Sequence, residues 1–351
     1  MLSRREFLRL SVLYTIGALA GCASPQPTPT AQPTSVPTVA PTATLIPPTA
    51  TPVARATPAI TATVAPTIVP TMTATPIPPS AGQPYLVVAR GANPAAITRA
   101  AIEALGGMRK FVKPGNDVIL KPNICNAQNT FEYASTTNPE VLAELVRLCL
   151  DAGAKRVRVM DQPFSGTAEA AYKRSGIKEA VEKAGGQMEI MMNAKYVETP
   201  LPNGRSLKAC RVYQDILKAD VVINVPIAKH HGSAQVTLAM KGLMGVILNR
   251  NEIHTALDQR IADLNTIIKP TLHVVDAVRV LMSHGPTGGS LDYVMMGNTV
   301  IASHDPVAAD GYATQLFFKK KPQEIGYIKF GAEMGLGRYD FDRLVVKEVT
   351  V

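Results

Sequence analysis

The sequence predicts a layered α/β domain with a mostly parallel sheet and flanking helices, preceded by a disordered stalk rich in proline and threonine. Strand-like and helix-like segments alternate along most of the chain, which is the order expected of parallel strands joined by crossover helices. Residues 221–225 form a short, fully apolar run, as strands buried on both faces do. Helix starts are also marked, as where Pro139 follows Asn138.

Each element follows from its own local pattern. Short apolar runs predict the strands, and amphipathic runs with capping residues predict the helices. Gly153 ends the helix predicted over 138–152, and Pro270 ends the helix predicted over 261–268. Asp305-Pro306 begins the last predicted helix. The predicted strands are 85–89, 117–120, 156–160, 188–192, 221–225, 272–275 and 299–302, and the predicted helices are 94–105, 138–152, 168–184, 236–248, 261–268 and 305–318.

The N-terminal residues predict where the protein works. A twin arginine at residues 4–5 precedes an apolar run over 10–20, and small residues stand directly before Cys22. This order is similar to the signal peptide of a bacterial lipoprotein exported by the twin-arginine route, in which Cys22 would carry the acyl chains. The run is shorter than the roughly 20 apolar residues that span a bilayer. We therefore predict a signal peptide over 1–21 and an extracytoplasmic protein anchored to the lipid bilayer through acylated Cys22.

Residues 22–83 are predicted to form a lipidated linker. After Cys22 the segment repeats proline and threonine, has no acidic or aromatic residue, and carries Arg55 as its one cation. Such a composition cannot bury enough apolar surface to offset the entropy of ordering, and proline biases the chain toward an extended form. The threonines resemble an O-glycosylated stalk in composition only, and a plain disordered spacer is the alternative.

Residues 84–351 form the predicted folded domain. The whole chain carries a net charge of +9, and the arginines of the signal and the linker leave this domain a modest positive excess. A basic surface favours anionic substrates or lipid headgroups, and we predict a small anionic ligand. Basic residues do not interleave with aromatic ones, which argues against nucleic acid. The motifs Gly-x-Ser-x-Gly and His-Glu-x-x-His are absent, which excludes two common hydrolase classes.

Cysteines are few beyond Cys22. Cys125, Cys149 and Cys210 allow at most one disulfide and include no Cys-x-x-Cys pair for zinc or a cluster. Cys149 lies at helical spacing among apolar residues, which predicts an inert core position. Cys125 follows Lys121-Pro122-Asn123-Ile124 and stands nearer to candidate chemistry.

The candidate catalytic residues are Lys229, His231 and Lys241. If the segment after the buried strand stays extended, Lys229 and His231 share one side and His230 faces away. Lys241 is the only charge in the apolar stretch that follows. It is interpreted as a desolvated ammonium aimed at an anion or acting in proton transfer; a lysine snorkelling from a half-buried helix is the alternative.

Further candidates lie where strands and loops end, and each has a structural alternative. Ligands gather at the carboxyl ends of parallel strands, which singles out Lys121, Asn123 and Asp276. A turn-forming aspartate is the alternative for Asp276, and helix capping is the alternative for Asp305. Backbone groups around Gly288 are suited to an anion, but a plain glycine turn also explains them.

Several short motifs occur together in this part of the chain. They are Lys121-Pro122-Asn123, residues 136–140, Lys229-His230-His231 with Thr237, Lys241-Gly242, residues 261–265, Val275-Asp276, residues 285–289 and residues 303–310. In this order they resemble the motifs of the domain of unknown function 362 family, over most of residues 85–320. The resemblance implies a shared fold but no reaction. Some members carry an iron–sulfur module with clustered cysteines, which this sequence lacks, so the cofactor stays unassigned.

Two functions from different classes fit these patterns. The first is an enzyme acting on a small anionic substrate, with the lysines and His231 supplying charge and proton transfer. The alternative is a non-catalytic receptor lipoprotein that holds an anion or a metal. Lone histidines and the lack of a cysteine pair favour the anion over a metal, and Asp263 is interpreted as solvated on its helix.

Overall fold

The structure is a computed structural model that describes residues 82–351. The predicted signal peptide with Cys22 and the predicted linker up to residue 81 lie outside the described residues. Within residues 82–351, no helix combines the length and the apolar composition that crossing a bilayer requires.

The described chain alternates strands and helices, as predicted. The strands are β1 Leu86–Arg90, β2 Asp117–Pro122, β3 Arg156–Val159, β4 Gln187–Met188, β5 Tyr196–Pro200, β6 Ala209–Tyr213, β7 Val221–Val225, β8 Ile227–His231, β9 Gln235–Thr237, β10 Leu272–Leu281, β11 Val294–Ser303 and β12 Val346–Thr350. The helices are α1 Pro94–Ala104, α2 Pro139–Asp151, α3 Ala168–Arg174, α4 Ile177–Lys183, α5 Gln214–Lys218, α6 Ala239–Gly242, α7 Arg250–Ile253, α8 Leu257–Leu264, α9 Pro306–Phe318 and α10 Gly326–Glu333.

A central sheet has the order β12-β1-β11-β10-β7-β2-β3-β4. Strands β10, β7, β2, β3 and β4 run parallel to one another, whereas β11 is antiparallel to both of its neighbours. The mostly parallel α/β sheet that the sequence predicts is therefore confirmed. Because the carboxyl ends of β2, β3 and β7 meet at one edge, the segments that follow them are brought together there.

Both faces of the sheet are covered by apolar packing. Val87 and Val88 of β1 point into opposite cores, as alternate side chains of a strand must. One core includes Ile97 of α1 and Val141 of α2, and the other includes Val307 of α9. This burial on two faces explains why β7 is apolar at nearly every position.

Two predicted helices are interrupted. The helix predicted over 168–184 is two helices, because Gly176 adopts a left-handed φ of 75° that ends the helical path. The prediction of a helix over 236–248 is wrong for most of that range. The segment instead contains the end of β9, the one-turn helix α6 and a 3₁₀ turn over Leu243–Val246.

Several strands depart from the predicted bounds. Of the strand predicted over 188–192, only Met188 pairs with the sheet, as part of β4. Strands β10 and β11 extend well beyond 272–275 and 299–302, because they form a long antiparallel pair. The separate hairpin of β5 and β6 and the short strands β8, β9 and β12 were not predicted.

Candidate functional site

A cavity of about 610 Å³ opens at the sheet edge where β2, β3 and β7 end. Asn123 follows β2, Asp161 follows β3, and the chain leaving β7 continues into β8. Lys229, His231 and Lys241 all line this cavity, so the structure brings the three predicted catalytic residues together with Asn123.

Strand β8 places two of these side chains in the cavity. Lys229 and His231 lie two residues apart and line it, while His230 turns away and accepts a hydrogen bond from the Gly285 amide at 3.1 Å. The Lys229 ammonium is buried and donates to the carbonyls of Ser135 at 2.7 Å and Pro286 at 3.1 Å. These two carbonyl acceptors hold the Lys229 ammonium in place in the cavity wall.

The His231 ring is oriented by backbone donors. Its Nδ1 accepts from the amides of Ser233 and Ala234, each at 3.2 Å. Burial, with further repulsion from Lys241 and Lys229, lowers the pKa of His231 to about 3. The ring is therefore neutral, and because Nδ1 is an acceptor, the proton is assigned to Nε2, which makes His231 a hydrogen-bond donor to the site.

Lys241 is nine-tenths buried, at 9% exposure. Its ammonium makes no hydrogen bond or ion pair with any residue in 82–351. Burial, and then the Lys229 charge, lower the pKa of Lys241 to about 7. An amine with a pKa near 7 is partly unprotonated at neutral pH, so it can accept or donate a proton there, whereas an ordinary exposed lysine is almost entirely protonated.

The turn that carries Lys241 is held from three elements. The buried Asp310 carboxylate of α9 accepts from the amides of Ala239 at 2.6 Å and Met240 at 2.9 Å. Asn224 of β7 donates to the Ala239 carbonyl at 2.8 Å, and Asn265 donates to the Met240 carbonyl at 3.2 Å. These side chains explain why a one-turn helix is fixed here without the long helix that the apolar pattern suggested.

Beside the cavity, Lys121 forms a buried ion pair. Its ammonium lies 2.9 Å from Asp161 Oδ1 and donates to the Pro122 carbonyl at 2.6 Å. Asp161 Oδ2 accepts from the Ile124 amide at 2.7 Å. A Cβ on Gly245 would come within 1.9 Å of Asp161 Oδ1, so only glycine fits there. Lys121 is thus neutralised, and Asp161 is the member of the pair that lines the cavity.

Two neutral polar groups also line the cavity. The Thr237 hydroxyl is buried and has no hydrogen-bond partner among the described residues. It stands opposite Lys229 in the pairing of β8 with β9. The side-chain oxygen Oδ1 of Asn123 accepts from the Ile227 amide at 3.0 Å, which fixes the side chain and leaves its NH₂ group to donate. Both groups can complete the hydrogen bonds of a bound anion.

Besides Lys121, three predicted ligand-binding residues lie outside the cavity lining. Asp276 is fully buried and accepts from the amides of Asn138 at 2.7 Å and Val278 at 3.0 Å, and burial raises its pKa to about 6. The Gly288 amide already donates to the His284 carbonyl at 3.0 Å.

Asp305 is the third of these residues. It caps α9 by accepting from the Ala308 amide at 2.8 Å, and its second oxygen accepts from the Arg338 amide at 2.9 Å and from the Tyr85 hydroxyl at 2.5 Å. Its contacts are those of the capping alternative.

The interpretation of Asp263 as a solvated residue is wrong. Its side chain is fully buried, and it accepts from the amides of Arg205 at 2.8 Å, Ser206 at 2.7 Å and Leu207 at 2.7 Å. The turn before β6 needs an acceptor for these donors, and the carboxylate supplies it.

Sequence reasoning missed Arg250 and gave Cys125 no role, although both residues line the cavity. Arg250 lies at the rim, where its guanidinium donates to the Gln162 carbonyl. Cys125 lines the cavity and its thiol lies 3.5 Å from the Pro286 carbonyl. Arg250 stands in a polar stretch that no motif marked, whereas Asn265 and Asp310 lay within quoted motifs without an assigned role. Within residues 82–351, no three histidine, cysteine or acidic side chains converge in a metal-binding arrangement.

Comparisons with solved structures show only distant likeness. A protein of Thermotoga maritima has a TM-score of 0.36 and 14% identity, covering 53% of this chain and 51% of that one. The lactate racemase apoprotein of Thermoanaerobacterium thermosaccharolyticum has a TM-score of 0.39 and 11% identity, covering 70% of this chain and 56% of that one. The chain thus spans little more than half the length of either.

Sequence comparisons are more specific. A thylakoid-associated protein of Synechocystis is 27% identical over 227 residues, which cover 62% of this chain and 68% of that protein. The family described as domain of unknown function (DUF362) matches residues 118–315, which is more than half of the sequence and contains every residue placed in the cavity lining. The chain belongs to the DUF362 family.

Proposed function

We propose that this domain acts on a small anionic substrate held in the cavity between Lys229 and Lys241. The observation that carries the proposal is the Lys241 side chain, which is nine-tenths buried and lines the cavity, with an amine that has no hydrogen-bond or ion-pair partner among the described residues. A buried cation without a partner is costly, and a bound anion would supply the missing charge.

The charges around the cavity favour an anion. The charge of Lys121 is paired with Asp161, but Lys229 is held by uncharged carbonyls and forms no ion pair within residues 82–351. Arg250 adds a further cation at the rim. Donors from His231, Asn123 and Thr237 suit the oxygens of a carboxylate, phosphate or sulfate.

The reactive state of Lys241 supports catalysis over simple binding. With a pKa of about 7, this side chain can give or take a proton without a large cost at neutral pH. A receptor needs only a permanent cation, which Lys229 already provides. Turnover separates the two functions: an enzyme converts substrate repeatedly, whereas a receptor saturates at one equivalent and releases the ligand unchanged.

Lys229→Met should weaken sulfate binding by about 30-fold or more, because losing a buried charge partner typically costs at least 2 kcal/mol. Isothermal titration of the full chain with sulfate, whose charge is constant near neutrality, measures this. Affinity should fall as the pH rises through about 7, because Lys241 then loses its proton.

Lys347→Met is the matched control, since Lys347 is exposed on β12, away from the cavity. Equal sulfate affinity in the wild type and Lys229→Met would contradict the anion site. A metal-binding receptor predicts a different result. Stoichiometric zinc, nickel or iron in the purified protein, lost in His231→Ala, would favour a metal-binding receptor over the anion site.

We also propose that the domain is held at the outer face of a membrane by lipid on Cys22. The twin arginine and the small residues before Cys22 support this, as does the description of one relative as thylakoid-associated. Acyl chains contribute about 0.8 kcal/mol per buried methylene, so multiple chains anchor firmly.

Cys22→Ser should abolish acylation and move the protein from the membrane fraction to the soluble fraction. Fractionation with metabolic labelling by a fatty acid measures both effects. Wild-type protein recovered soluble and without lipid would contradict the anchor, whatever happens at the cavity.

A further inference from the structure

We infer that Lys241 is a nucleophilic amine that forms an imine with a small carbonyl compound carrying an anionic group. The inference rests on the proposed anion site and names the substrate class that this site takes: an oxo acid or a phosphate-bearing aldehyde or ketone.

The three buried lysines of this region have different partners, and the difference assigns their roles. Lys121 is paired with a carboxylate and is structural. Lys229 is held charged by two carbonyls and suits the anionic end of a substrate. Lys241 alone of these three has no partner among the described residues. Its uncharged form leaves no buried charge unpaired, and that form carries the lone pair that attacks carbonyl carbon.

The surroundings of Lys241 favour this neutral form. Met244 and Leu248 line the cavity with it, and the nearby charges of Lys229 and Arg250 oppose a third cation. Desolvation and a neighbouring cation are the two conditions that activate a lysine for imine chemistry. The fixed turn at 239–240 holds the amine in place before a substrate arrives.

The step balances without any further reactant. The Lys241 nitrogen attacks the carbonyl carbon, and the carbonyl oxygen becomes a hydroxyl group. Loss of that hydroxyl as water leaves a carbon–nitrogen double bond, with both hydrogens of the water coming from the amine. The Thr237 hydroxyl, which is buried in the same cavity without a partner, is available to relay one of these protons.

Reductive trapping tests the inference. The full chain is incubated near neutral pH with pyruvate or glycolaldehyde phosphate and sodium cyanoborohydride, and its peptides are mapped by mass spectrometry. We expect a reduced adduct on Lys241, in excess over exposed Lys347 by on the order of a hundredfold, because far more of the Lys241 amine is neutral. Acetone, which lacks the anionic group, should label Lys241 at least about tenfold less.

Two variants separate the nucleophile from the anchor. Lys241→Arg keeps a cation but should abolish the adduct, while sulfate still binds. Lys229→Met should lower labelling by pyruvate more than labelling by acetone. Both carbonyls lose the effect of the Lys229 charge on the pKa of Lys241, but only pyruvate also loses its anchor. An unmodified Lys241 with either anionic carbonyl, or labelling spread evenly over exposed lysines, would overturn the imine even if sulfate binds. Failure of sulfate to bind would overturn the anion site itself.

Discussion

Replacing Lys241 by methionine should stabilise the fold by roughly 2–4 kcal/mol at about pH 6 in a buffer free of multivalent anions. Burial lowers the pKa of Lys241 from 10.5 to about 7, so the protonated side chain is disfavoured in the native state. Methionine has a similar length and carries no charge to desolvate. A gain in stability at a proposed catalytic position is characteristic of a site built for reactivity.

The sign of the pH dependence follows from the lowered pKa. Between about 7 and 10.5 the unfolded chain binds more protons at this position, so the free energy of unfolding of the wild type rises with pH. The advantage of Lys241→Met should therefore be largest at or below about pH 7 and shrink toward about pH 10. Urea unfolding at three pH values measures it. If Lys241→Met were less stable than the wild type at every pH, burial of the protonated Lys241 side chain would not be destabilising and the prediction would be wrong. Lys347→Met, at an exposed lysine, is the control.

Removing Asp161 should have an effect of similar size and opposite sign. Asp161→Ala leaves the Lys121 ammonium fully buried without its ion pair, and loss of one partner of a buried pair costs about 3–5 kcal/mol. The variant also leaves the Ile124 amide without its acceptor. Thermal or urea unfolding against the wild type gives the loss.

The double variant Lys121→Met/Asp161→Ala is the matched control, because it removes the stranded charge. It should recover a large part of the stability lost in the single variant, although not the hydrogen bond from Ile124. Additive losses in the double variant would show that the pair contributes nothing through charge. A substitution at Gly245 tests the same ion pair independently, because any side chain there must displace Asp161 Oδ1.

The layered fold was predictable because its signals are local. The apolar run of β7 and the capping residues at the start of α2 each predict their element from a few neighbouring residues. The failures arose where distant groups decide the backbone. The apolar stretch after β9 has a helical composition, but Asp310 and Asn224 bind its backbone and fix a single turn.

The same distinction holds for the site. Alternation along β8 was enough to place Lys229 and His231 on one side, and the lone charge of Lys241 marked it among apolar residues. Arg250 carried no comparable signal. Asp276 and Asp305 follow or end strands as site residues do, yet both serve backbone amides, and only three-dimensional contacts distinguish these two uses of a carboxylate.

The three side chains that hold the turn at 239–240 also determine where inactivating substitutions would be found. Asp310, Asn224 and Asn265 come from separate parts of the chain and do not line the cavity. A random mutagenesis screen for lost activity should therefore recover them beside Lys229 and Lys241, because their loss releases the turn that carries Lys241. A list of residues that contact the ligand would not include these three positions, although each of them helps to fix the position of the Lys241 amine nitrogen.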